Sequence, residues 1–209
     1  MMPDSALPVH IAGDIERDGY AVLPDWLEAT AVAALAAECR DLHARSLMRP
    51  AAVGHAGARH VDAAIRGDRT FWFDAAQASA AQQRYWQPMQ ALRIDLNREL
   101  LLGLDDLEAH YAMYAPGARY ARHRDRFRDD DARVLSSVLY LNADWNAADG
   151  GALRLYLPDA APGRFVDIVP RGGTLVLFLS AEFEHEVLAA TRERLSIAGW
   201  FRRSHAQRL

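Results

Sequence analysis

The chain has 209 residues, 51% hydrophobic and 25% charged, with a formal net charge of −4. That length suits a single domain spanning 1–209 that can bury a substantial core. All 24 basic residues are Arg and none is Lys, so Schiff-base, P-loop and kinase-type lysine chemistry is excluded. Any anion held by a side-chain cation here is held by Arg or a protonated His.

Two apolar stripes at helical spacing open the reading. Glu28–Leu47 carries Val32, Leu35, Ala36 and Cys39 on one face, which predicts a helix. Ala80–Leu102 carries Tyr85, Met89, Leu92, Leu96 and Leu100, with Gly103 marking its end and Pro88 a start or kink near its first turns. After Leu107 the period falls to two. Strands are expected at Glu108–Tyr114, Val134–Asn142, Ala152–Leu157, Arg164–Val169, Thr174–Leu179, Glu184–Leu188 and Arg194–Arg202. Turn signals such as Ala115-Pro116-Gly117, Asp149-Gly150-Gly151 and Arg171-Gly172-Gly173 separate them. The expected fold is α+β: a double-stranded β-helix, or jelly roll, over 107–203, with N-terminal helices from 1–106 packed on one face.

Cys39 is the only cysteine, so an intrachain disulfide, a thiolate zinc cluster and a CxxC redox pair are all excluded. Met1–His10 lacks a basic run followed by an apolar one, and the apolar run near Leu175–Leu179 is too short to span a bilayer. The expectation is a cytoplasmic protein with no membrane partner. Mild acidity argues against nucleic acid, and the run Arg119–Arg133 interleaves Asp125, Asp129, Asp130 and Asp131 rather than forming a basic patch.

Three short pieces carry the chemistry. In His123-Arg124-Asp125, an extended backbone puts the His and the carboxylate on one side. His185 follows an apolar strand and sits at a sheet rim. Arg194 comes nine residues later and opens a strand whose Arg194, Ser196, Ala198 and Trp200 share a face. An Arg among small residues on an inward face needs an anion to offset its burial. Two His and one carboxylate form the facial triad of non-haem Fe(II) oxygenases, which leaves coordination positions open. Those positions suit the C1 carboxylate and keto oxygen of 2-oxoglutarate and one O₂. A bidentate Arg then suits the far carboxylate.

From about Leu107 to Phe201 the chain resembles the 2-oxoglutarate- and Fe(II)-dependent prolyl hydroxylases, in particular the oxygen-sensing prolyl hydroxylase domain group and its bacterial relatives. The matching text runs from Tyr114 through Tyr120 to His123 and Asp125, then Leu139-Tyr140-Leu141-Asn142 with Asp144-Trp145. It continues through Gly150-Gly151, Leu153-Arg154 and Arg194-Leu195-Ser196-Ile197-Ala198-Gly199-Trp200. Ile65-Arg66-Gly67-Asp68, followed by Trp72, resembles the loop that folds over substrate in that group.

The resemblance implies that His123, Asp125 and His185 bind Fe(II). It implies that Arg194 and the Tyr140 hydroxyl hold the distal carboxylate of 2-oxoglutarate, with Tyr114 near its metal-binding end. Val138 and Leu153 wall the pocket, and Trp200 lines it near the metal. Arg66, Asp68 and Arg133 are the implied substrate contacts, and 55–74 the implied lid. Fe(II), 2-oxoglutarate and O₂ are the implied cofactor and co-substrates, with ascorbate as reductant. The implied partner is a protein or peptide with a prolyl residue.

Two departures stand out. The segment from Tyr114 to His123 is one residue shorter than in the oxygen-sensing members, and Ala198 replaces a hydroxyl residue they carry beside the metal. The motifs leave other readings open: the same chemistry on a free amino acid, small metabolite or other peptide residue, a non-catalytic metal and 2-oxoglutarate sensor, or a cupin dioxygenase without co-substrate.

Overall fold

In the first half, apolar residues spaced three and four apart share one side of a helix, and that side is what the core buries. The computed structural model describes residues 11–52, 60–126, 132–158 and 163–204. Among these residues are three α-helices: α1 (Ile11–Asp18), α2 (Ala29–Ala44) and α3 (Ala80–Leu100). On α2 the buried face includes Val32, Leu35, Ala36 and Cys39, the stripe expected from sequence. α3 starts where the Ser79 side chain accepts from the Gln82 amide at 3.0 Å, a cap for an otherwise unpaired N–H. It stops at Leu101, which adopts φ +53°. Asn97 seals that end by exchanging two hydrogen bonds with the Leu104 backbone, at 2.8 and 2.7 Å. Pro88 lies inside α3, which runs on through it, rather than at its start.

The strands are β1 (Tyr20–Leu23), β2 (Arg49–Pro50), β3 (Asp68–Trp72), β4 (Asp106–Tyr114), β5 (Tyr120–His123) and β6 (Arg133–Tyr140). They continue as β7 (Leu153–Tyr156), β8 (Phe165–Ile168), β9 (Leu175–Leu179), β10 (Glu184–Val187) and β11 (Arg194–Arg202). All seven expected strands are present, with ends moved by two residues at most. A seven-stranded sheet has the order β1-β9-β6-β11-β4-β3-β2, and a four-stranded sheet has the order β5-β10-β7-β8. Every strand pairing within them is antiparallel. These facing sheets are the two halves of the jelly roll.

The seven-stranded sheet is covered on both faces. Leu35, Met89 and Leu96 of the helices pack on Tyr111, Leu139, Leu177 and Phe201 on one side. Tyr114, Tyr140, Val176 and Phe178 on the other side meet Leu155 and Val187 of the smaller sheet. Double coverage explains why β9 reads as a continuous apolar run, Leu-Val-Leu-Phe-Leu.

The first half is more than helical support. β1 pairs with β9 at one edge of the larger sheet, and β2 and β3 extend the other edge beyond β4. Residues 68–72 of the expected lid are therefore strand β3. Thr70, Phe71 and Trp72 are strand-favouring types, and pairing with β4 extends the strand back to Asp68. Residues 53–59 of that segment, and 127–131 of the mixed-charge run, lie outside the described residues. No helix among the described residues is long and apolar enough to cross a membrane.

Candidate active site

A cavity of about 780 Å³ opens between the sheets. His123, at the end of β5, and His185, on β10, are register partners across the ladder, and their rings lie 4.2 Å apart. Asp125 follows two residues after His123, as the extended spacing predicts. His123 Nε2 is 3.6 Å from Asp125 Oδ1, and His185 Nε2 is 3.6 Å from Asp125 Oδ2. One ligand atom from each of the three lies within 4.8 Å of the others.

The surroundings prepare this cluster for a cation. His123 Nδ1 donates to Ala121 O at 2.7 Å, and His185 Nδ1 donates to Phe183 O at 3.3 Å. A carbonyl partner fixes the proton on Nδ1 and turns the Nε2 lone pair inward. Burial, reinforced by His123, pushes the His185 pKa down to about 4, so the ring is neutral at pH 7. Burial opposes the Asp125 charge, yet His185, His123 and Ser136 together hold its pKa below the usual carboxylate range. Asp125 Oδ2 accepts from Ser136 Oγ at 2.7 Å, and Ser136 Oγ is 2.8 Å from Ser180 Oγ. Two imidazoles and a carboxylate are the donor set that suits non-haem Fe(II).

The second part of the site lies on the larger sheet. Arg194 is 1% exposed, and no carboxylate among the described residues pairs with it. Its Nε donates to Gly151 O at 2.8 Å and its Nη1 to Ser196 Oγ at 3.3 Å, whereas Nη2 has no partner. Gly151 makes this approach possible: it adopts φ +69°, and a Cβ there would meet Arg194 Cδ at 3.3 Å. The guanidinium carbon is 5.1 Å from the Tyr140 ring and 5.2 Å from the Tyr114 ring. Tyr140 Oη is also buried without a partner. Burial raises its pKa to about 12, so the hydroxyl keeps its proton and can donate. Unpaired buried donors around an uncompensated cation call for an anion, and a carboxylate of 2-oxoglutarate fits them.

The other expected residues divide. Tyr114, Val138, Leu153 and Trp200 line the cavity, as do Arg66 and Arg133. Arg133 pairs with Glu108 at 2.8 Å and lies 3.7 Å above the Trp200 ring, so it faces the cavity mouth. Asp68 is placed differently from the substrate contact expected. It is 2% exposed and is occupied by Arg66, at 2.8 and 3.0 Å. Ser136, Ser180 and Tyr120 were given no role from sequence. The partners of Ser136 and Ser180 are distant in the chain, and no local pattern marks them. Tyr120 is three residues from His123, a spacing that puts two residues of a regular strand on opposite faces; a register irregularity in the β5–β10 pairing lies between them, and their rings stack.

Residues 109–202 match the family model described as 2OG-Fe(II) oxygenase superfamily. A hypoxia-inducible factor prolyl hydroxylase of Caenorhabditis elegans is 29% identical over 204 residues, 92% of this chain and 28% of that protein. Egl nine homolog 1 of Homo sapiens is 37% identical over 87 residues, 41% of this chain and 20% of its own length. The chain spans about a quarter of the length of the curated relatives it matches. Among solved structures, a Pseudomonas putida prolyl-4-hydroxylase is 46% identical with a TM-score of 0.82, covering 95% of this chain and 100% of that one. A prolyl hydroxylase from Trichoplax adhaerens, in complex with a hypoxia inducible factor oxygen degradation domain peptide fragment, has the same TM-score at 23% identity. That match covers 93% of this chain and 88% of the other, and it speaks to the fold. At the identity and coverage of the bacterial match the likeness extends beyond architecture: the chain belongs to the 2OG-Fe(II) oxygenase superfamily.

Proposed function

We propose that this protein is a 2-oxoglutarate-dependent dioxygenase that hydroxylates a prolyl residue in a protein or peptide, releasing succinate and CO₂. The observation that carries the reading is the 46% identity, over 95% of this chain, to a prolyl-4-hydroxylase. His123, Asp125 and His185 would hold Fe(II), while Arg194 and Tyr140 would donate to the distal carboxylate of 2-oxoglutarate. Bound together, the metal and co-substrate supply O₂ activation and oxidative decarboxylation.

The chain's own contribution is orientation and exclusion. Asp125 stays ionised and His185 neutral, so neither has to lose a proton to bind a divalent cation at pH 7. Arg194 is fixed by Gly151 O before any anion arrives, which limits the reorganisation that binding costs. Leu153 and Val138 line the cavity and would keep water from the co-substrate. At the mouth, Trp72 and Trp200 stack with centroids 6.0 Å apart, an apolar surface for a pyrrolidine ring. Arg133, paired with Glu108 and lying over the Trp200 ring, sets a charged edge beside that surface. We place this activity in the cytoplasm, where a lone buried cysteine such as Cys39 is kept reduced.

The test is incubation of the protein with Fe(II), 2-oxoglutarate and prolyl-containing peptides, followed by mass spectrometry and succinate assay. The expected result is one added oxygen on a prolyl residue and peptide-dependent succinate. Peptide-independent turnover, stimulated instead by a free amino acid or small metabolite, would move the substrate class.

A further inference from the structure

The segment from Ile65 to Asp68 ties one sheet to the other. Its C-terminal end enters β3, where Asp68 is the register partner of Tyr114. Its other end is bonded to the chain that carries His123. Gly67 N donates to Arg119 O at 2.9 Å, Ala121 N donates to Ile65 O at 2.8 Å, and Arg66 and Tyr120 are bridge partners. A side chain at Gly67 would meet Ala118 Cβ at 3.1 Å, so this close approach depends on glycine.

The side chains repeat the connection. Asp68, fully buried, grips the Arg66 guanidinium through two parallel hydrogen bonds of 2.8 and 3.0 Å. A bidentate pair of this kind fixes the plane of the guanidinium as well as its position. The guanidinium carbon lies 4.7 Å from the centroid of the Tyr120 ring. Tyr120 in turn lies flat on the His123 imidazole, with centroids 3.6 Å apart and an interplanar angle of 17°. One face of His123 is thus covered by a ring whose other partner is locked to the larger sheet. The Nδ1 bond to Ala121 O leaves rotation about that hydrogen bond, and the stacked ring limits it.

We propose that Asp68, Arg66 and Tyr120 form a positioning chain that fixes the orientation of the His123 imidazole as a metal ligand. The inference rests on the assignment of His123 to the iron site. It gives the Arg-Gly-Asp segment work on the metal side of the cavity, and Asp68 acts only through Arg66 and Tyr120.

The experiment measures Mn(II) affinity of the full chain by calorimetry and the visible spectrum of its Co(II) form. Wild type is compared with Asp68→Asn, Tyr120→Leu and Tyr120→Phe, with circular dichroism checking that each is folded. Asp68→Asn and Tyr120→Leu are expected to weaken Mn(II) binding ~10–100-fold, the usual cost of losing an outer support of a metal ligand, and to alter the Co(II) bands. Tyr120→Phe keeps the ring and is expected to match wild type in both readouts. If Asp68→Asn does not fold, Tyr120→Leu carries the test alone. Unchanged Mn(II) affinity and spectrum in Tyr120→Leu, with a raised peptide KM in any folded Asp68→Asn, would overturn the positioning chain in favour of substrate reading. A wild type that binds no divalent cation at all would overturn the metal site itself, and the inference with it.

Discussion

β11 runs nine residues and is paired along most of its length with β4 on one side and β6 on the other. The strands that face it across the cavity, β5, β10, β7 and β8, have four residues each. The longer sheet is buried on both faces, and a charged side chain on it, Arg194, is fixed by the ladder and by Gly151 O. The smaller sheet shows its outer face to solvent, where Arg122 pairs with Glu184 and Arg154 with Asp167. The metal ligands on and just beyond these short strands are supported individually. Carbonyls fix each imidazole, Ser136 reaches over from β6 to Asp125, and Tyr120 covers His123. The anion site is thus a property of a sheet, whereas the metal site is a property of a few side-chain contacts.

Changes aimed at one wall at a time should separate these roles. The largest effect is expected for Asp125→Ala. Metal affinity and 2-oxoglutarate turnover should both be lost, exceeding the ~10–100-fold that an outer support is worth; calorimetry with Mn(II) and a succinate assay check this. Arg194→Ala should raise the 2-oxoglutarate KM on the order of 10²-fold, the scale of truncating one partner of a buried charge pair, while Mn(II) affinity stays near wild type. Steady-state kinetics beside the same calorimetry separates the two effects.

Stability tests sharpen the contrast. Leu195 is fully buried against the helices, and Leu195→Ala should cost ~2–5 kcal/mol in denaturant unfolding. His110, on β4, is 1% exposed, and burial, helped by the nearby Arg66, pushes its pKa down to about 4 from an ordinary 6.5. The unfolded chain therefore takes up this proton first as pH falls. Stability from His110 is complete above pH 6.5 and is lost between there and about pH 4, amounting to about 3 kcal/mol. A His110→Leu variant should show a flatter stability curve over that window. The smallest effect belongs to the solvent side of the smaller sheet: Arg122→Ala should change stability by under ~1 kcal/mol.

The same contrast governs what could be read from the residues alone. β11 was bounded correctly at both ends because its apolar residues serve two covered faces and Arg194 announces an inward charge. His123, Asp125 and His185 were legible as residue types at ligand spacing. β5 was not, since Tyr-Ala-Arg-His has no apolar run and becomes a strand only through pairing with β10. β3 was hidden within the segment expected as a lid, because Asp68 becomes a strand residue only by pairing with β4. Ser136 looked like one more small residue in β6, because its task depends on a carboxylate eleven residues earlier that the fold returns to it.

The most direct test of the divided site is an anaerobic titration of 2-oxoglutarate into the Fe(II)-loaded protein, followed by visible absorbance. Wild type should develop and saturate an absorption band of the Fe(II)–2-oxoglutarate complex. Arg194→Ala should reach the same band only at far higher co-substrate concentration, and Asp125→Ala should develop none. Saturation of Arg194→Ala at the wild-type concentration would mean that the larger sheet does not hold the co-substrate, and would contradict the account.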